Sequence, residues 1–265
     1  MRIDDFIIEQ YCPPFLIAEI GVNHNGCFDT AMKMVDAAAA SGANALKFQT
    51  FVVDELVTKT APKARYQMQN SPKIESQYEM LSKLCLTETE FEKLKSYCAE
   101  KKLTFLSSPF DVPSVEFLDG LGVGVIKIPS GEITNMPYLR EIAKTNRNVI
   151  LSTGMANLGE IESAINILRT ENLNSICLLH CISDYPADIT TMNLKAIKTL
   201  QSCFQIPVGL SDHTLGFTAA VVAVAYGAPI IEKHFTLDKN MAGPDHKASM
   251  DPSEFRQLRV MLDNA

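Results

Sequence analysis

Short apolar runs alternate along the whole chain with stretches that have the apolar spacing of an amphipathic helix. Eight of the apolar runs break off into polar or charged residues. Regular alternation of strand and helix is typical of a parallel sheet, and eight units favour closure into a barrel. The runs end at Glu19, Lys47 with Gln49, Ser108, Lys127 with Ser130 and Glu132, Ser152, His180 to Tyr185, Ser211 with His213, and Glu232 with His234. Because the chemistry of a (β/α)8 TIM barrel lies where its strands end, the pattern predicts an α/β enzyme with that fold.

The predicted helices follow the strands one by one, and two connections are longer than a barrel needs. The helical patterns cover residues 29–40, 88–101, 112–121, 136–144, 158–170, 193–203, 218–226 and 252–263. Thr87 and Asp251 stand before two of them as residue types that cap helix N-termini. Residues 1–12 predict a short strand or hairpin that plugs the barrel floor. The long connections, residues 52–86 and 238–249, follow carboxyl ends of strands, so we expect both to hang over the site.

Length and composition restrict the classes of function. At 265 residues the chain has the length of one barrel, about 250 residues, so residues 1–265 form a single predicted domain. A formal net charge of -7 without a run of Lys or Arg argues against nucleic acid or an anionic membrane as partner. Seven cysteines without a CxxC pair indicate a reducing compartment, and Cys177 and Cys181 on one apolar strand are interpreted as core. No apolar stretch is long enough for a signal peptide or a membrane span, which favours the cytoplasm.

Two histidines lie at matching heights on neighbouring predicted strands. Side chains alternate along a strand, so Ser211 and His213 point the same way on strand seven, as do Glu232 and His234 on strand eight. Two imidazoles at the barrel mouth can hold a divalent metal and leave positions open for a substrate oxygen. The alternative for each is a hydrogen-bonded residue of the core or of a loop. His180, inside an apolar run, is interpreted as a packed residue rather than a ligand.

Two lysines and four serines at strand ends predict an anion site. Lys47 and Lys127 supply point charges, and the serines supply the short donors that a phosphate or carboxylate needs. The serines are Ser108, Ser130, Ser152 and Ser211. Two alternatives remain open, namely ion pairs of the lysines with Glu19 or Glu232, and a Schiff base. Burial can lower the pKa of a lysine enough for it to attack a carbonyl group.

Other polar residues near the strand ends are candidates for acid–base work or for binding hydroxyl groups. Glu132, just after strand four, is a candidate general acid or base, with a solvated loop carboxylate as the alternative. Glu19 could orient Lys47 or join the site directly. Asp245, on a loop stiffened by glycine and proline, and Tyr185, after strand six, could hydrogen-bond a polyol.

A series of motifs along the chain resembles those of the sialic acid synthases, which condense phosphoenolpyruvate with an N-acylmannosamine. The motifs are AEIGVNHNG, KFQTF, LSSPFD, KIPSGEI, LSTGMA, LLHCISDYP, GLSDHTLG, EKHFTLDK and GPDHKAS, and they span about residues 13–265. The last of them is similar to the branch that makes N-acetylneuraminate or legionaminate. The resemblance implies a metal-dependent transferase with a nonulosonic acid and phosphate as products.

The resemblance also implies how the two reactants are bound and joined. His213 and His234 would hold Mn2+ or Mg2+, which polarises the aldehyde of the open-chain sugar. Carbon 3 of phosphoenolpyruvate attacks that aldehyde, water adds at carbon 2, and the tetrahedral intermediate loses phosphate. The residues implied to hold the phosphate and carboxylate of phosphoenolpyruvate are Lys47, Ser108, Lys127, Ser130, Ser152 and Ser211.

Sugar binding and proton transfer are implied for a second group of residues. Asp245, Gln49 and Tyr185 would contact the sugar. Glu132 would move protons, with Glu19 as a helper. Members of the family commonly continue into a small antifreeze-like domain that reaches across a domain-swapped dimer and donates an arginine to the sugar.

This sequence ends without that domain, and we expect the barrel to fold and to bind phosphoenolpyruvate and metal on its own. The resemblance implies a homodimer. Three hypotheses follow from the residues and the resemblance together. The chain is a metal-dependent synthase that condenses phosphoenolpyruvate with a sugar, a Schiff-base lyase that uses Lys127, or a barrel that binds phosphoenolpyruvate without turnover.

Overall fold

Strands and helices alternate in the order that the hydropathy pattern predicts. The structure is a computed structural model that describes residues 1–64, 67–68, 75–171 and 175–265. The strands of this part are β1 (Arg2–Ile3), β2 (Phe6–Ile7), β3 (Phe15–Gly21), β4 (Ala45–Thr50), β5 (Thr104–Pro109), β6 (Val125–Ile128), β7 (Asn148–Ser152), β8 (Ile176–Cys181), β9 (Val208–Asp212) and β10 (Ile230–His234). The helices are α1 (Phe28–Ala40), α2 (Val53–Leu56), α3 (Gln77–Ser82), α4 (Glu88–Glu100), α5 (Val112–Gly120), α6 (Met136–Lys144), α7 (Leu158–Leu168), α8 (Ala196–Phe204), α9 (Thr218–Ala225) and α10 (Pro252–Asp263).

Strands β3 to β10 form one parallel sheet that curls into a barrel. The sheet has 8 strands in the order β5-β4-β3-β10-β9-β8-β7-β6, and each of its ladders is parallel. The strands at its two ends, β5 and β6, lie against each other. The predicted (β/α)8 barrel is therefore confirmed.

The barrel interior has an apolar lower half and a polar upper half. Because successive side chains of a strand point to opposite faces, the inward residues can be followed along each strand. The lower inward residues are Phe15, Ile17, Ala45, Leu106, Val125, Ile150, Cys177, Leu179 and Ile230, which form one buried cluster. The next inward residues towards the carboxyl ends are Glu19, Lys47, Ser108, Lys127, Ser152, Cys181 and Glu232, all buried. Polar chemistry is thus confined to the mouth of a barrel whose floor is packed.

The N-terminal hairpin closes the lower end of the barrel. Strands β1 and β2 pair antiparallel, and Ile3 and Ile8 join the apolar cluster of the barrel interior. Ile7 on the same hairpin is exposed. Phe6 lies edge-on to Phe15 of β3, with 5.0 Å between the ring centroids. The predicted plug of the barrel floor is confirmed.

The predicted helix starts at two capping residues are confirmed in detail. The Thr87 side chain accepts from the backbone N–H of Glu90, and the Glu90 carboxylate accepts from the backbone N–H of Thr87. Asp251 and Glu254 form the same reciprocal arrangement at the start of α10. These bonds satisfy N–H groups that a helix start leaves without partners.

Two helix boundaries differ from the predicted ones by two or three residues. Helix α8 begins at Ala196, three residues after the start of the predicted helix 193–203. The reason is the backbone of Asn193, whose φ of 43° lies in the left-handed region that a right-handed helix excludes. Helix α7 ends at Leu168, two residues before the predicted end. In the part of the chain that the structure describes, no helix is both long and apolar enough to cross a membrane.

The long connection after β4 folds into a lid beside the barrel mouth. The name lid is used here for residues 52–64, 67–68 and 75–86, which include α2 and α3; residues 65–66 and 69–74 of the predicted connection lie outside the described residues. Helix α3 has a reciprocal cap formed by Ser76 and Glu79. Its Met80 and Leu81 pack with Val22 in an apolar cluster separate from the main core. The lid therefore has a small core of its own.

Candidate active site

A cavity of about 470 Å³ lies at the carboxyl ends of the barrel strands, with the lid along one side. Every site residue that the sequence predicts lines it, with the exception of Glu132. These residues are Glu19, Lys47, Gln49, Ser108, Lys127, Ser130, Ser152, Tyr185, Ser211, His213, His234 and Asp245. The fold brings them together because each occupies an inward position at a strand end, or the loop just after one.

Lys47 on β4 lies between two carboxylates and a serine. Its Nζ is 2.8 Å from Glu19 Oε2 and 3.9 Å from Glu232 Oε2, and it donates to Ser108 Oγ at 3.1 Å. The predicted ion pairs are therefore present. These ion pairs are compatible with the predicted anion site, because an ammonium group has three donors and can bind carboxylates and a further anion at the same time.

Lys127 on β6 reaches the same carboxylate from the other side of the cavity. Its Nζ donates to Ser152 Oγ at 2.8 Å and lies 3.7 Å from Glu232 Oε1. That oxygen also accepts from Ser211 Oγ at 2.8 Å. Glu232 thus joins both lysines and one serine in a single polar network on the cavity floor.

The two carboxyl groups of this network have opposite pKa shifts. Burial raises the pKa of Glu19 to about 7 in spite of Lys47, and the charge of Glu232 adds to the rise. Burial would also raise the pKa of Glu232, but the ammonium groups of Lys127 and Lys47 outweigh it and hold that pKa at about 2. Near neutral pH, Glu232 is therefore ionised while Glu19 can carry a proton. A pair of this kind, with pKa values pushed apart, is typical of acid–base sites.

His213 directly follows β9 and His234 is the last residue of β10, and their ring centroids are 5.6 Å apart. His213 Nδ1 donates to the Ile182 carbonyl oxygen at 2.6 Å, which leaves the lone pair of the ring on Nε2. That Nε2 is 3.3 Å from Ser211 Oγ. Burial lowers the pKa of His213. Burial and the nearby His213 ring together lower the pKa of His234 well below its usual value. Both imidazoles are therefore neutral near pH 7.

Neutral imidazoles in this arrangement fit an open site for a divalent metal. A histidine binds metal through the lone pair of a neutral ring, and His234 Nδ1 is buried with no hydrogen-bond partner among the described residues. The Nδ1–H group of His213 donates to the Ile182 carbonyl oxygen, which fixes the tautomer and the orientation of the ring. Within residues 1–64, 67–68, 75–171 and 175–265, no group of three or more His, Cys, Asp or Glu side chains has the arrangement of a metal site.

Ser130 lies in a narrow corner of the cavity that sequence reasoning found only in part. Its Oγ is 3.1 Å from Ser183 Oγ, and the backbone N–H of Gly154 donates to Cys181 Sγ at 3.2 Å. A Cβ atom at Gly154 would lie 2.6 Å from Ser183 Oγ and 2.7 Å from Cys181 Sγ, so a larger residue here would force these side chains to move. Cys181 was interpreted as core, and Ser183 was not singled out. The inward parity that Cys181 shares with Cys177 could have placed it in the cavity.

The predicted sugar-binding residues lie next to the imidazoles. The ring centroid of Tyr185 is 4.2 Å from that of His213, and Gln49 Nε2 donates to Glu19 Oε1 at 3.3 Å. Asp245, on the loop after β10, is buried, which raises its pKa to about 6. Its Oδ1 has no hydrogen-bond partner in the described part of the chain. Because such an atom costs free energy when buried alone, its surroundings suit a ligand that brings a hydroxyl donor.

Glu132 is the predicted site residue that the structure does not place in the wall of the cavity. It lies in a 3-10 turn, Ser130–Glu132, after β6. The side chain is half-buried, and its Oε2 accepts from Asn135 Nδ2 at 2.7 Å. The direction of that turn decides where the side chain points, and sequence spacing does not reveal it. The catalytic role of Glu132 stays a prediction.

Apolar residues of the lid, together with Phe51 just before it, also line the cavity. They are Phe51 at the start of the connection and Leu56, Val57, Met80, Leu81 and Leu84 within it. The loop after β10 contributes Pro244 and Asp245. Both long connections therefore reach the cavity, as predicted, and they give it a mixed character, with charge below and apolar surface at the side.

Fold and site together define a barrel enzyme whose mouth combines a floor of lysines, serines and carboxyl groups with two neutral imidazoles. The chain matches the model of the NeuB family over residues 34–265 and belongs to that family. It is 50% identical over 249 residues to the N,N'-diacetyllegionaminic acid synthase of Campylobacter jejuni, an alignment that covers 93% of this chain and 75% of that protein. The synthase of the same name from Legionella pneumophila is 50% identical over 255 residues, with 95% and 72% covered.

A solved structure agrees with this assignment. The N-acetylneuraminic acid (sialic acid) synthetase of Leptospira borgpetersenii, in complex with citrate, matches with a TM-score of 0.90 at 35% identity. The match covers 100% of this chain and 87% of that one. The predicted resemblance and enzyme class are confirmed: the chain is a transferase of the synthase type, which condenses phosphoenolpyruvate with an amino sugar to give a nonulosonic acid.

Proposed function

We propose that this chain joins phosphoenolpyruvate and water to a diacetamido-trideoxy sugar of the manno series, to give a nonulosonic acid of the legionaminate type and phosphate. One observation carries the proposal. The predicted anion-binding side chains, two neutral imidazoles and a buried carboxyl group with a raised pKa line the same cavity. Two relatives at 50% identity bear the name of a diacetyllegionaminic acid synthase.

The floor of the cavity binds phosphoenolpyruvate. Lys47 and Lys127 stand on opposite sides of Glu232, and each donates to a serine at a neighbouring strand end. A phosphate and a carboxylate bring several negative charges into a buried site, where fixed ammonium groups and hydroxyl donors stabilise them more strongly than in water. We assign the phosphate and carboxylate to the two lysines together with Ser108, Ser130, Ser152 and Ser211.

Glu19 moves the proton that the reaction requires. When carbon 3 of phosphoenolpyruvate bonds to the aldehyde carbon, the aldehyde oxygen gains a negative charge and takes a proton from the Glu19 carboxyl group. Water then adds at carbon 2 and gives a proton back to the Glu19 carboxylate. As the C–O bond to phosphate breaks, phosphate leaves with the electron pair and takes the proton of the carbon 2 hydroxyl group, which becomes the ketone, while Glu19 stays protonated for the next cycle. A pKa of about 7 suits a group that both gives and accepts a proton near neutral pH. The remaining carboxylate candidate, Glu132, stands outside this cycle.

His213 and His234 hold the Mn2+ or Mg2+ ion that the family resemblance implies. Such an ion, when bound, supplies Lewis-acid polarisation of the aldehyde oxygen. The His213 ring is fixed by its bond to the Ile182 carbonyl oxygen. Tyr185, whose ring packs at a tilt against that of His213, orients the sugar together with Gln49 and Asp245.

The lid supports the choice of a diacetamido-trideoxy sugar. Leu56, Val57 and Met80 present apolar surface beside the sugar-binding residues. A methyl group and an acetamido methyl gain free energy from such a wall, at about 25 cal/mol per Å² of apolar surface buried. A hydroxyl group in the same place would lose its hydrogen bonds to water.

Phosphate release measures the proposed reaction directly. The chain is incubated with phosphoenolpyruvate, Mn2+ and each of three sugars, namely N-acetylmannosamine, its phosphate ester and the diacetamido-trideoxy sugar. We expect the highest kcat/KM with the diacetamido-trideoxy sugar. Equal values for the three sugars would refute the sugar assignment. Binding of phosphoenolpyruvate without phosphate release from any of them would favour a barrel that binds without turnover.

The metal role is tested by His213→Ala. We expect this variant to lose binding of Mn2+, measured by electron paramagnetic resonance, and to lose turnover, while its circular dichroism is unchanged. His180→Ala is the matched control, because His180 lies outside the cavity and bonds to the Met192 carbonyl oxygen. Wild-type turnover that persists in a strong chelator would contradict the metal assignment.

A Schiff-base mechanism at Lys127 is the second candidate, since burial lowers the pKa of this lysine despite the charge of Glu232. Reduction with borohydride in the presence of the substrates separates the two chemistries. The proposed condensation forms no covalent bond to lysine, so mass spectrometry should find the chain unmodified. A reduced adduct on Lys127 would establish the alternative.

Compartment and assembly belong to the same proposal. We assign the enzyme to the cytoplasm, supported by seven cysteines that are all free thiols. We assign it a homodimeric state on the basis of the family resemblance. Sedimentation equilibrium of the purified chain, which has a mass of 29.2 kDa, tests the second assignment, and a monomer at micromolar concentration would contradict it.

A further inference from the structure

A buried ion pair lies behind the two imidazoles, on the outer face of the barrel wall. Lys233 Nζ is 2.8 Å from Asp212 Oδ2, and both side chains are about 1% exposed or less. Asp212 stands between Ser211 and His213 in sequence, and Lys233 stands between Glu232 and His234. Because side chains alternate along a strand, the pair points away from the cavity while its neighbours on both strands point into it.

The same pair fixes the backbone around His213. Lys233 Nζ also donates to the carbonyl oxygen of Thr214 at 2.5 Å. Asp212 Oδ1 accepts from the backbone N–H of Thr214 at 2.9 Å and from its hydroxyl at 2.8 Å. The residues on either side of His213 are therefore tied to each other, and both are tied to the neighbouring strand β10.

Register adds a geometric reason for this arrangement. Lys233 and Asp212 are direct cross-strand partners on β10 and β9. His234 and His213 are the next residues along the two strands, so the ion pair joins the strands one residue before each imidazole. The backbone ladder of β10 and β9 ends at this pair. After it, the bond from Lys233 Nζ to the Thr214 carbonyl oxygen connects β10 to the residues that follow β9.

Stability alone does not account for a charged pair here. Removing two charges from water costs several kcal/mol per ion, and an apolar pair of similar volume is often as stable. Groups that hold metal-binding histidines in place, by contrast, set metal affinity without touching the ion. We infer that Asp212 and Lys233 are positioning residues, whose ion pair sets the separation and orientation of His213 and His234 for a divalent metal. The inference rests on the proposed metal role of these histidines.

Two variants test the inference. Asp212→Asn keeps an oxygen that can accept from Thr214 but removes the charge. Asp212→Asn combined with Lys233→Met removes both charges, so that no unpaired charge remains buried in the wall. For both variants we expect the Mn2+ dissociation constant of the folded protein, measured by electron paramagnetic resonance, to rise by about 10- to 100-fold. The dissociation constant of phosphoenolpyruvate should change much less, because five of its six assigned ligands lie on or just after strands β4 to β7 and only Ser211 lies next to Asp212.

Lys239→Met is the matched control. Lys239 lies on the segment after β10 and forms a more exposed ion pair with Glu254 of α10. It removes one positive charge near β10 without loosening the two strands, and should leave Mn2+ affinity unchanged. Wild-type Mn2+ affinity in the double variant, with any loss confined to the free energy of unfolding, would overturn the inference and show a structural role only. A wild-type chain that takes up no Mn2+ would overturn the metal assignment and the inference together.

Discussion

Two glutamates in the cavity show how strongly the surroundings of a residue decide its chemistry. Glu232 contacts both lysines and accepts from Ser211, so its charge is stabilised from three sides. Glu19 contacts Lys47 and Gln49 and is otherwise desolvated. Glu232 is therefore ionised near neutral pH between the two lysines, whereas Glu19, with its raised pKa, is the proposed proton carrier.

The raised pKa of Glu19 predicts a specific dependence of stability on pH. Its value of about 7 in the folded state lies above the usual 4.5, so the folded chain binds this proton more tightly than the unfolded chain. The stability from this group is complete below pH 4.5 and is lost as the pH rises through about 7. Glu19→Gln should remove this loss, which is at most about 3 kcal/mol.

Urea unfolding between pH 4.5 and pH 8 measures the effect as a difference between the wild type and the variant. Glu132→Gln is the control, because its carboxylate lies outside the cavity wall and bonds to Asn135. Parallel pH profiles for the wild type and Glu19→Gln would show that Glu19 does not titrate in this range.

The anion site predicts an unequal effect of Lys127→Met on the two substrates. A charged hydrogen bond contributes about 1.5–3 kcal/mol, so the dissociation constant of phosphoenolpyruvate should rise by roughly 10- to 100-fold. The KM of the sugar should change much less. Titration calorimetry and steady-state kinetics measure the two quantities, with Lys33→Met on the exposed face of α1 as the control for loss of one positive charge. Equal effects on both substrates would count against the anion site.

At the scale of the elements, the lid has a small apolar cluster of its own and supplies apolar surface to the cavity. Helix α3 is only six residues long, too short to be stable without its cap and its packing. The reciprocal cap of Ser76 and Glu79 holds its first turn, and Met80 and Leu81 connect it to Val22 near the end of β3. The apolar wall of the cavity therefore depends on a helix with a small margin of stability.

Ser76→Ala should weaken the lid without affecting the barrel. Loss of a serine cap costs about 1 kcal/mol, which corresponds to a roughly fivefold higher KM for the sugar. Binding of Mn2+ should be unchanged. Thr87→Ala removes the same kind of cap from α4, which does not line the cavity, and it should lower stability without raising this KM. A similar rise in KM in both variants would contradict a separate role of the lid.

The elements also show where prediction from sequence succeeds. Position at a strand end placed Lys47 and Lys127 correctly in the cavity, and strand parity did the same for both metal-binding candidates, because a barrel strand leaves only one inward direction at each position. The direction of a turn and the backbone conformation of a single residue have no such regularity. For this reason sequence spacing did not show that Glu132 lies outside the cavity wall, and α8 was begun at Asn193 rather than at Ala196.

At the scale of the whole molecule, stability and chemistry occupy opposite ends of the barrel. The lower interior and the N-terminal hairpin form one apolar cluster, whereas the upper interior buries lysines, carboxylates and imidazoles. Buried charges contribute little to stability on balance. The packed floor, together with the helices around the barrel, therefore has to stabilise the conformation that keeps these charges close together.

Ile3→Ala tests this division of the molecule. Ile3 is 1% exposed and belongs to the apolar cluster inside the barrel. Its truncation leaves a cavity, and the free energy of unfolding in urea should fall by about 2–5 kcal/mol. Ile7→Ala on the same hairpin, at a position 59% exposed, should change it by no more than about 0.5 kcal/mol. Because neither Ile3 nor Ile7 lines the cavity, kcat and both KM values per folded molecule should match the wild type in both variants. A loss of kcat in fully folded Ile3→Ala would instead show that packing at the floor controls the geometry of the mouth.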